Sequence, residues 1–167
     1  MKSTTPFAAV PGALVGAVPP ALGWAAGGGA WRDSRLLAIC LFFILWQVPH
    51  FWLLVPRYRE DLERAGLPSL AKILGEPRLA RLTAVWMSVA AAAGLLLPAL
   101  GVLHSAAGFL CLAAAAAWLV RHAAVLLRGT AGGAGAPFQA AFVRLNIFVL
   151  AATGLIASDP FLCSRLF

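Results

Sequence analysis

The chain has 167 residues, 62% of them hydrophobic and only 11% charged, with a mean hydropathy of +0.88. Soluble domains carry roughly 25% charged residues, so this composition excludes one and points to a polytopic membrane protein. The formal charge of +7 comes with no basic run and no nucleic-acid motif, so nucleic acid is excluded as a partner and the charge is assigned to cytoplasmic loops.

Apolar runs long enough to cross about 30 Å of hydrocarbon recur along the chain, and they predict an all-α bundle of about five transmembrane helices forming one membrane domain over residues 1–167. The first span covers 7–26. Its Pro19-Pro20 pair argues against a signal peptide and predicts a break near the middle, while Gly12 and Gly16, four apart, would let a neighbouring helix approach closely. Gly27-Gly28-Gly29 and Trp31 close it. The second span, 36–56, carries Trp46-Gln47-Val48-Pro49-His50-Phe51-Trp52, and Pro49 leaves a carbonyl near Leu45 without its helical donor. A polar loop with Gly66, Pro68, Gly75 and Pro77 as breakers runs to about 81. Spans at 82–102, 106–127 and 138–158 follow. The loop near 101–105 is so short that the third and fourth spans must be antiparallel neighbours.

Five spans put eight Lys/Arg on one side: Lys2, Arg57, Arg59, Arg64, Lys72, Arg78, Arg81 and Arg128. The other side holds three, Arg32, Arg35 and Arg165, so the N-terminus is expected in the cytoplasm and the C-terminus outside. Cys40, Cys111 and Cys163 are odd in number, far apart and without CxxC spacing, which indicates neither a disulfide framework nor a zinc site.

If the helix of the second span continues into the loop, Gln47, His50, Leu54, Arg57 and Asp61 follow at spacings of three and four and share one face. That polar stripe would run roughly 21 Å from the bilayer to water at 1.5 Å per residue. His50, in an apolar span beside Pro49, needs a partner. It could bond a neighbouring helix, contact a substrate or act as an acid or base. Arg57 and Arg59 could grip a diphosphate bidentately, and serve equally well as anchors at a span's end. Trp46 and Trp52 point to different azimuths, so they form no single platform; either ring could face a cation, with aromatic filler as the default.

Thr5-Pro6, Gly16-Ala-Val-Pro-Pro-Ala-Leu-Gly-Trp24, Trp46-Gln-Val-Pro-His-Phe51, Arg57-x-x-Glu60-Asp61-x-x-x-Ala65-Gly66-x-Pro68 and Ser158-Asp159-Pro160 occur in that order. In these pieces the chain resembles the protoheme IX farnesyltransferases, or heme O synthases, of the UbiA superfamily. The resemblance implies the C-terminal five helices of a nine-helix fold in a bacterial cell membrane, surrounded by lipid. It implies transfer of a farnesyl group from farnesyl diphosphate, held through Mg²⁺, to a vinyl carbon of heme b. It makes Asp61 the expected metal ligand and, with His50, a catalytic residue. Gln47, His50, Arg57 and Arg59 become the substrate-binding set. Glu60 and Glu63 point to other helix faces and are weaker ligands.

The family's other acidic motif, Asn-x-x-x-Asp-x-x-x-Asp, is absent, since the single Asn is Asn146. Leu62 replaces a usual Tyr, and Ser69-Leu70-Ala71 replaces a Met-Leu-Pro-like run. The chain alone is therefore expected to be inactive, with the missing motif to be sought upstream of Met1 or on a separate polypeptide that supplies the N-terminal helices. Three other readings compete: a non-catalytic or degenerate membrane homologue or subunit that binds heme or prenyl ligands, a UbiA-type prenyltransferase with another acceptor, and a transporter-like bundle. The transporter reading lacks inverted repeats.

Overall fold

The computed structural model describes residues 9–64, 66, 70–129 and 136–164, and these form helices and turns without a strand. Chain order is α1 (Ala9–Gly12), a 3₁₀ segment (Ala13–Ala17), α2 (Val18–Ala26), α3 (Ser34–Leu54), α4 (Arg59–Arg64), α5 (Leu70–Leu74), α6 (Glu76–Ala99), α7 (Ala106–Gly129) and α8 (Ala136–Ser164). The protein is an all-α integral membrane bundle. Four helical stretches are long and apolar enough to cross a membrane: Ser34–Leu54, Glu76–Ala99, Ala106–Leu127 and Pro137–Asp159. The first apolar stretch, Val10–Ala26, is shorter and interrupted.

The interruption lies at the 3₁₀ segment, just before the prolines. Pro19 and Pro20 fall in the first turn of α2, where a helix has no internal use for their missing N–H groups. The glycines there act differently from an i, i+4 pair. A Cβ on Gly16 would stand 3.1 Å from the Phe43 carbonyl and 3.3 Å from Gln47, whereas Gly12 has nothing within 4 Å. A 3₁₀ turn eclipses i and i+3, so the two glycines do not share a contact face. Only Gly16 lets the segment lie against α3.

Below α2 the chain reverses through Gly28, whose φ of +75° suits glycine. Trp24 folds back over Gly29, and its indole Nε1 donates to the Ala30 carbonyl at 3.1 Å. Asp33 then caps α3: its carboxylate accepts from the Arg35 amide at 2.8 Å and pairs with the Arg35 guanidinium at 2.7 Å. These contacts with Arg35 hold the Asp33 carboxyl below its ordinary range, the side-chain hydrogen bond contributing most.

The long helices make the core. Buried positions recur at spacings of three and four: Leu112, Ala116, Leu119, Ala123 and Leu126 on α7, and Phe138, Ala141, Leu145, Phe148 and Ala152 on α8. On α3 and α6 they include Phe42, Trp52, Leu79, Met87 and Leu97. Phe42 and Phe148 meet edge to face at 6.0 Å across Gly94, where a Cβ would stand 3.0 Å from Phe148. Large apolar residues such as Leu150, Leu110 and Leu37 stay exposed, as a lipid-facing surface requires.

Both ends of the bundle are defined by clustered residues. Trp24, Arg35, Gly101, His104 and Asp159 surround one cavity, which brings the α2–α3 turn, the α6–α7 turn and the end of α8 together. Asp159, 3% exposed, accepts from the backbone N–H groups of His104 (2.6 Å) and Ser105 (3.0 Å). The Ser105 hydroxyl in turn accepts from the Gly108 N–H at the start of α7. At the opposite end, Leu54 at the end of α3 and Arg57 beyond it line a cavity with Phe138 and Gln139 at the start of α8.

Candidate functional site

α3 continues through Pro49 and ends at Leu54; residues 55–58 turn, and a separate short helix α4 begins at Arg59. The continuous stripe from Gln47 to Asp61 is therefore broken. Pro56, inside the 55–58 turn, cannot donate to a helical carbonyl, which accounts for the stop. Gln47 and His50 keep their helical relation, but the residues beyond Leu54 do not extend it.

The site residues accordingly part company. Gln47 is half-buried and packs against Gly16 of the 3₁₀ segment. His50 turns toward α8. Its ring stands 4.8 Å from Trp46, 5.9 Å from Phe51 and 4.9 Å from Phe142, and the Asn146 amide is its polar neighbour. His50 Nδ1 is buried without a hydrogen-bond partner. The Asn146 amide is itself held, since its Nδ2 donates to the Phe142 carbonyl at 2.7 Å. The two indoles part as their azimuths require: Trp46 joins His50, while Trp52 meets Trp86 of α6 edge to face at 5.7 Å.

One turn beyond His50 lies a cavity of about 140 Å³ lined by Leu53, Leu54, Pro56, Arg57, Phe138, Gln139 and Phe142. Phe142 is common to both places: one contact is to the His50 ring, another to the cavity of Arg57. The structure thus brings His50 and Arg57 to one wall between α3 and α8. Asp61 stands apart on α4, 71% exposed, with its carboxylate 3.6 Å from Arg64, which also reaches Glu60 at 3.2 Å. The side chain of Arg59 lies outside the described residues, as do Thr5, Pro6, Ala65 and Pro68 of the sequence motifs.

Among the described residues no group of three or more His, Cys, Asp or Glu could hold a metal ion. Mg²⁺ commonly takes one or two carboxylates together with substrate phosphates and waters. An exposed Asp61 fits that role as one ligand to an ion carried by phosphates, and forms no cage of its own.

Sequence reasoning missed Gln139, Phe142 and Asn146. Their signal was present: two amides and an aromatic at spacings of three and four inside an apolar span mark one face. Which helix that face meets cannot be read from one span alone.

The family model described as the UbiA prenyltransferase family matches residues 1–157. The chain belongs to that family. Among curated proteins it is 41% identical over 103 residues to the protoheme IX farnesyltransferase of Geobacter sulfurreducens, covering 62% of this chain and 38% of that protein. It is 42% identical over 104 residues to the protein of that name in Nitratidesulfovibrio vulgaris, with 62% and 36% covered. The protoheme IX farnesyltransferase of Leptothrix cholodnii is 41% identical over 115 residues, 69% of this chain and 36% of that protein. The matched part of the UbiA chain thus spans little more than a third of these relatives' length. No solved structure matches it.

Proposed function

We propose that this UbiA-family chain is the C-terminal portion of an intramembrane prenyltransferase of heme biosynthesis, which transfers farnesyl from farnesyl diphosphate to heme b to give heme O. The reading rests on one observation: a half-buried imidazole and a guanidinium flank a single apolar wall, His50 and Arg57 on either side of Phe142. It draws its substrates from relatives that carry the name protoheme IX farnesyltransferase.

The chemistry follows from the residues. Breaking the allylic C–O bond leaves both electrons on the departing diphosphate, so the site must stabilise negative charge there. Arg57, exposed at the mouth, presents a guanidinium fork suited to phosphate oxygens. Mg²⁺, with Asp61 among its ligands, would neutralise further charge on the phosphates. The apolar chain would lie inward along Phe142, and the faces of Trp46 and Phe142 suit a developing allylic cation. His50 would meet the acceptor. A cavity of 140 Å³ is small beside the roughly 300–1,000 Å³ of ordinary ligand sites. This wall is therefore one side of a larger site, to be closed by helices bearing the Asn-x-x-x-Asp-x-x-x-Asp motif, carried upstream in the same chain or on a second polypeptide. In this reading the end with Arg57 and Asp61 faces the cytoplasm of a bacterial cell and the end with Asp159 faces outward.

The test is co-expression. The chain is produced with and without a membrane polypeptide bearing that motif, and membranes supplied with farnesyl diphosphate and heme b are analysed for farnesylated heme. Product is expected only from the pair. Product from the chain alone overturns the half-site reading. Heme retained by the pair without any product favours the non-catalytic homologue, for which the Asp61–Arg64 pairing is the supporting feature.

A further inference from the structure

α6 and α7 lie side by side as antiparallel helices, and on their outer side they leave a groove of about 640 Å³ that shares no residue with the α3–α8 wall. Small side chains make its floor. Ala84 and Ala123 are buried there, while the larger Val85, Val89 and Val120 stay exposed as its rims. The hydroxyl of Ser88 donates to the Ala84 carbonyl at 3.0 Å, so it asks nothing of an occupant. One end of the groove is charged. Arg81 lines it, and Arg78 lies on the same face of α6 one turn nearer the helix start. Arg81 Nε donates to the Pro77 carbonyl of its own helix at 3.4 Å, which uses one of five N–H groups. Among the described residues no carboxylate pairs with Arg78 or Arg81.

From Arg81 to Ala92 the groove follows α6 for roughly 16 Å at 1.5 Å per residue, about the 15 Å half-thickness of the hydrocarbon core. Beyond Ala92 the same faces carry Leu95, Leu96 and Phe109, and the groove ends. A transmembrane helix would need contact surface through the other leaflet as well. A cation at one end and an apolar channel one leaflet deep match a lipid instead. We infer that the α6–α7 groove binds an anionic phospholipid of the leaflet on the Arg81 side, with one acyl chain over Ala84 and Ala123 and the phosphodiester at Arg81. In the orientation given above, that leaflet is the cytoplasmic one. The inference is independent of the reaction proposed above, since a lipid here braces α6 against α7 and leaves the α3–α8 wall open.

The test is photolabelling of the full chain in phosphatidylcholine nanodiscs that contain a small share of phosphatidylglycerol with a diazirine on its acyl chain. A parallel sample carries the same chain on phosphatidylcholine, and labelled residues are mapped by mass spectrometry. Label is expected to concentrate in residues 84–92 and 120–127, about fivefold more from phosphatidylglycerol, the preference one arginine near a membrane surface gives for anionic lipid. Arg81→Gln should bring that preference below about twofold, whereas Arg81→Lys, which keeps the charge, should retain it. Ala92→Leu with Ala124→Leu fills the groove from two exposed positions and should reduce its labelling by both lipids. Arg32→Gln, at the other end of the bundle, should change nothing. Far-ultraviolet circular dichroism of each variant checks the helix content.

Equal labelling of the wild-type groove by the two headgroups marks ordinary surrounding lipid and overturns the inference. Label spread evenly over exposed Leu37, Leu110 and Leu150 does the same, as does an unchanged preference in Arg81→Gln. If farnesyl diphosphate displaces the label where unlabelled phosphatidylglycerol does not, the groove belongs to the prenyl donor and the phospholipid assignment falls. Absent labelling overturns it too, and a disulfide between two copies carrying Val89→Cys would then name a second copy as the occupant. None of these readouts uses farnesylated heme, so the lipid site and the prenyltransferase reading stand or fall separately.

Discussion

Asp159→Asn is the substitution whose effect the structure specifies most closely. The Asp159 carboxylate serves two backbone donors at 2.6 and 3.0 Å, and at 3% exposure water cannot replace it. Asparagine keeps the volume but offers one oxygen and one NH₂. Whichever way the amide turns, one of the His104 and Ser105 N–H groups faces another donor. A buried donor left unsatisfied costs about 1–3 kcal/mol, and the surviving bond loses its charge-assisted strength, about 1 kcal/mol more. The expected destabilisation is about 2–4 kcal/mol. His104 Nδ1 also approaches the carboxylate, at 3.4 Å, but its side chain is 62% exposed, so His104→Ala should change stability by less than about 0.5 kcal/mol. Equilibrium unfolding of both variants in the same detergent micelle, followed by circular dichroism, measures the difference. If Asp159→Asn unfolds within about 0.5 kcal/mol of wild type, the latch between α8 and the α6–α7 turn is not a stabilising element.

Three further outcomes can be checked. With Cys40, Cys111 and Cys163 replaced, a cysteine at position 72 should react with impermeant reagents only from the cytoplasmic side and one at position 102 only from outside; the reverse pattern inverts the orientation. In the two-polypeptide assembly Asp61→Asn should lower turnover about a hundredfold, or about 2.7 kcal/mol of transition-state stabilisation, with Lys72→Gln as the unaffected control; Arg64 is unsuitable as a control because it pairs with Asp61 and Glu60. Because Arg35 holds the Asp33 carboxyl below its ordinary range, the cap's stabilisation is complete above the unfolded carboxylate value near pH ~4 and is lost as pH falls through the lower folded value. The Tm difference between wild type and Asp33→Asn should therefore be equal at pH 7 and 5.5 and shrink in stronger acid; a difference that grows in acid contradicts the assignment.

Hydropathy made the membrane class and the helical fold legible, because a bilayer accepts only segments that satisfy their own backbone. The prolines at 19 and 20 likewise announced a broken first stretch. Helix ends were less legible. α6 starts at Glu76, within what reads as a polar loop, because Gly75 at φ +72° and Pro77 in the first turn form a helix start that hydropathy alone does not register. α8 runs on to Ser164, past Asp159, since that carboxylate is satisfied by another turn of the chain and need not reach water. At the site, Gln47, His50 and Arg57 were visible as polar residues near a proline in or beside an apolar span. The separation of Asp61 from them was not visible: a stripe from 47 to 61 assumes one uninterrupted helix, and the turn at 55–58 ends it. Asn146 and Phe142 mark a face of their own span, but which helix that face meets is not written in either helix by itself.

The two polar layers of the bundle differ in a way that bears on where ligand can bind. Around Asp159 every strong hydrogen-bonding group has a partner: the carboxylate takes two amides, Ser105 caps α7, and Arg35 is neutralised by Asp33. A group so satisfied gains little from a ligand, because any new contact must first displace an existing one. Around His50 the balance is reversed. Nδ1 has no partner, and no carboxylate among the described residues pairs with Arg57. Unpartnered groups beside an apolar wall are stabilised by a ligand that brings complementary atoms, and an amphiphile with an anionic head and an apolar body matches both ends. The preference for the α3–α8 wall over the larger cavity of about 520 Å³ at the other end thus follows from hydrogen-bond satisfaction, not from volume.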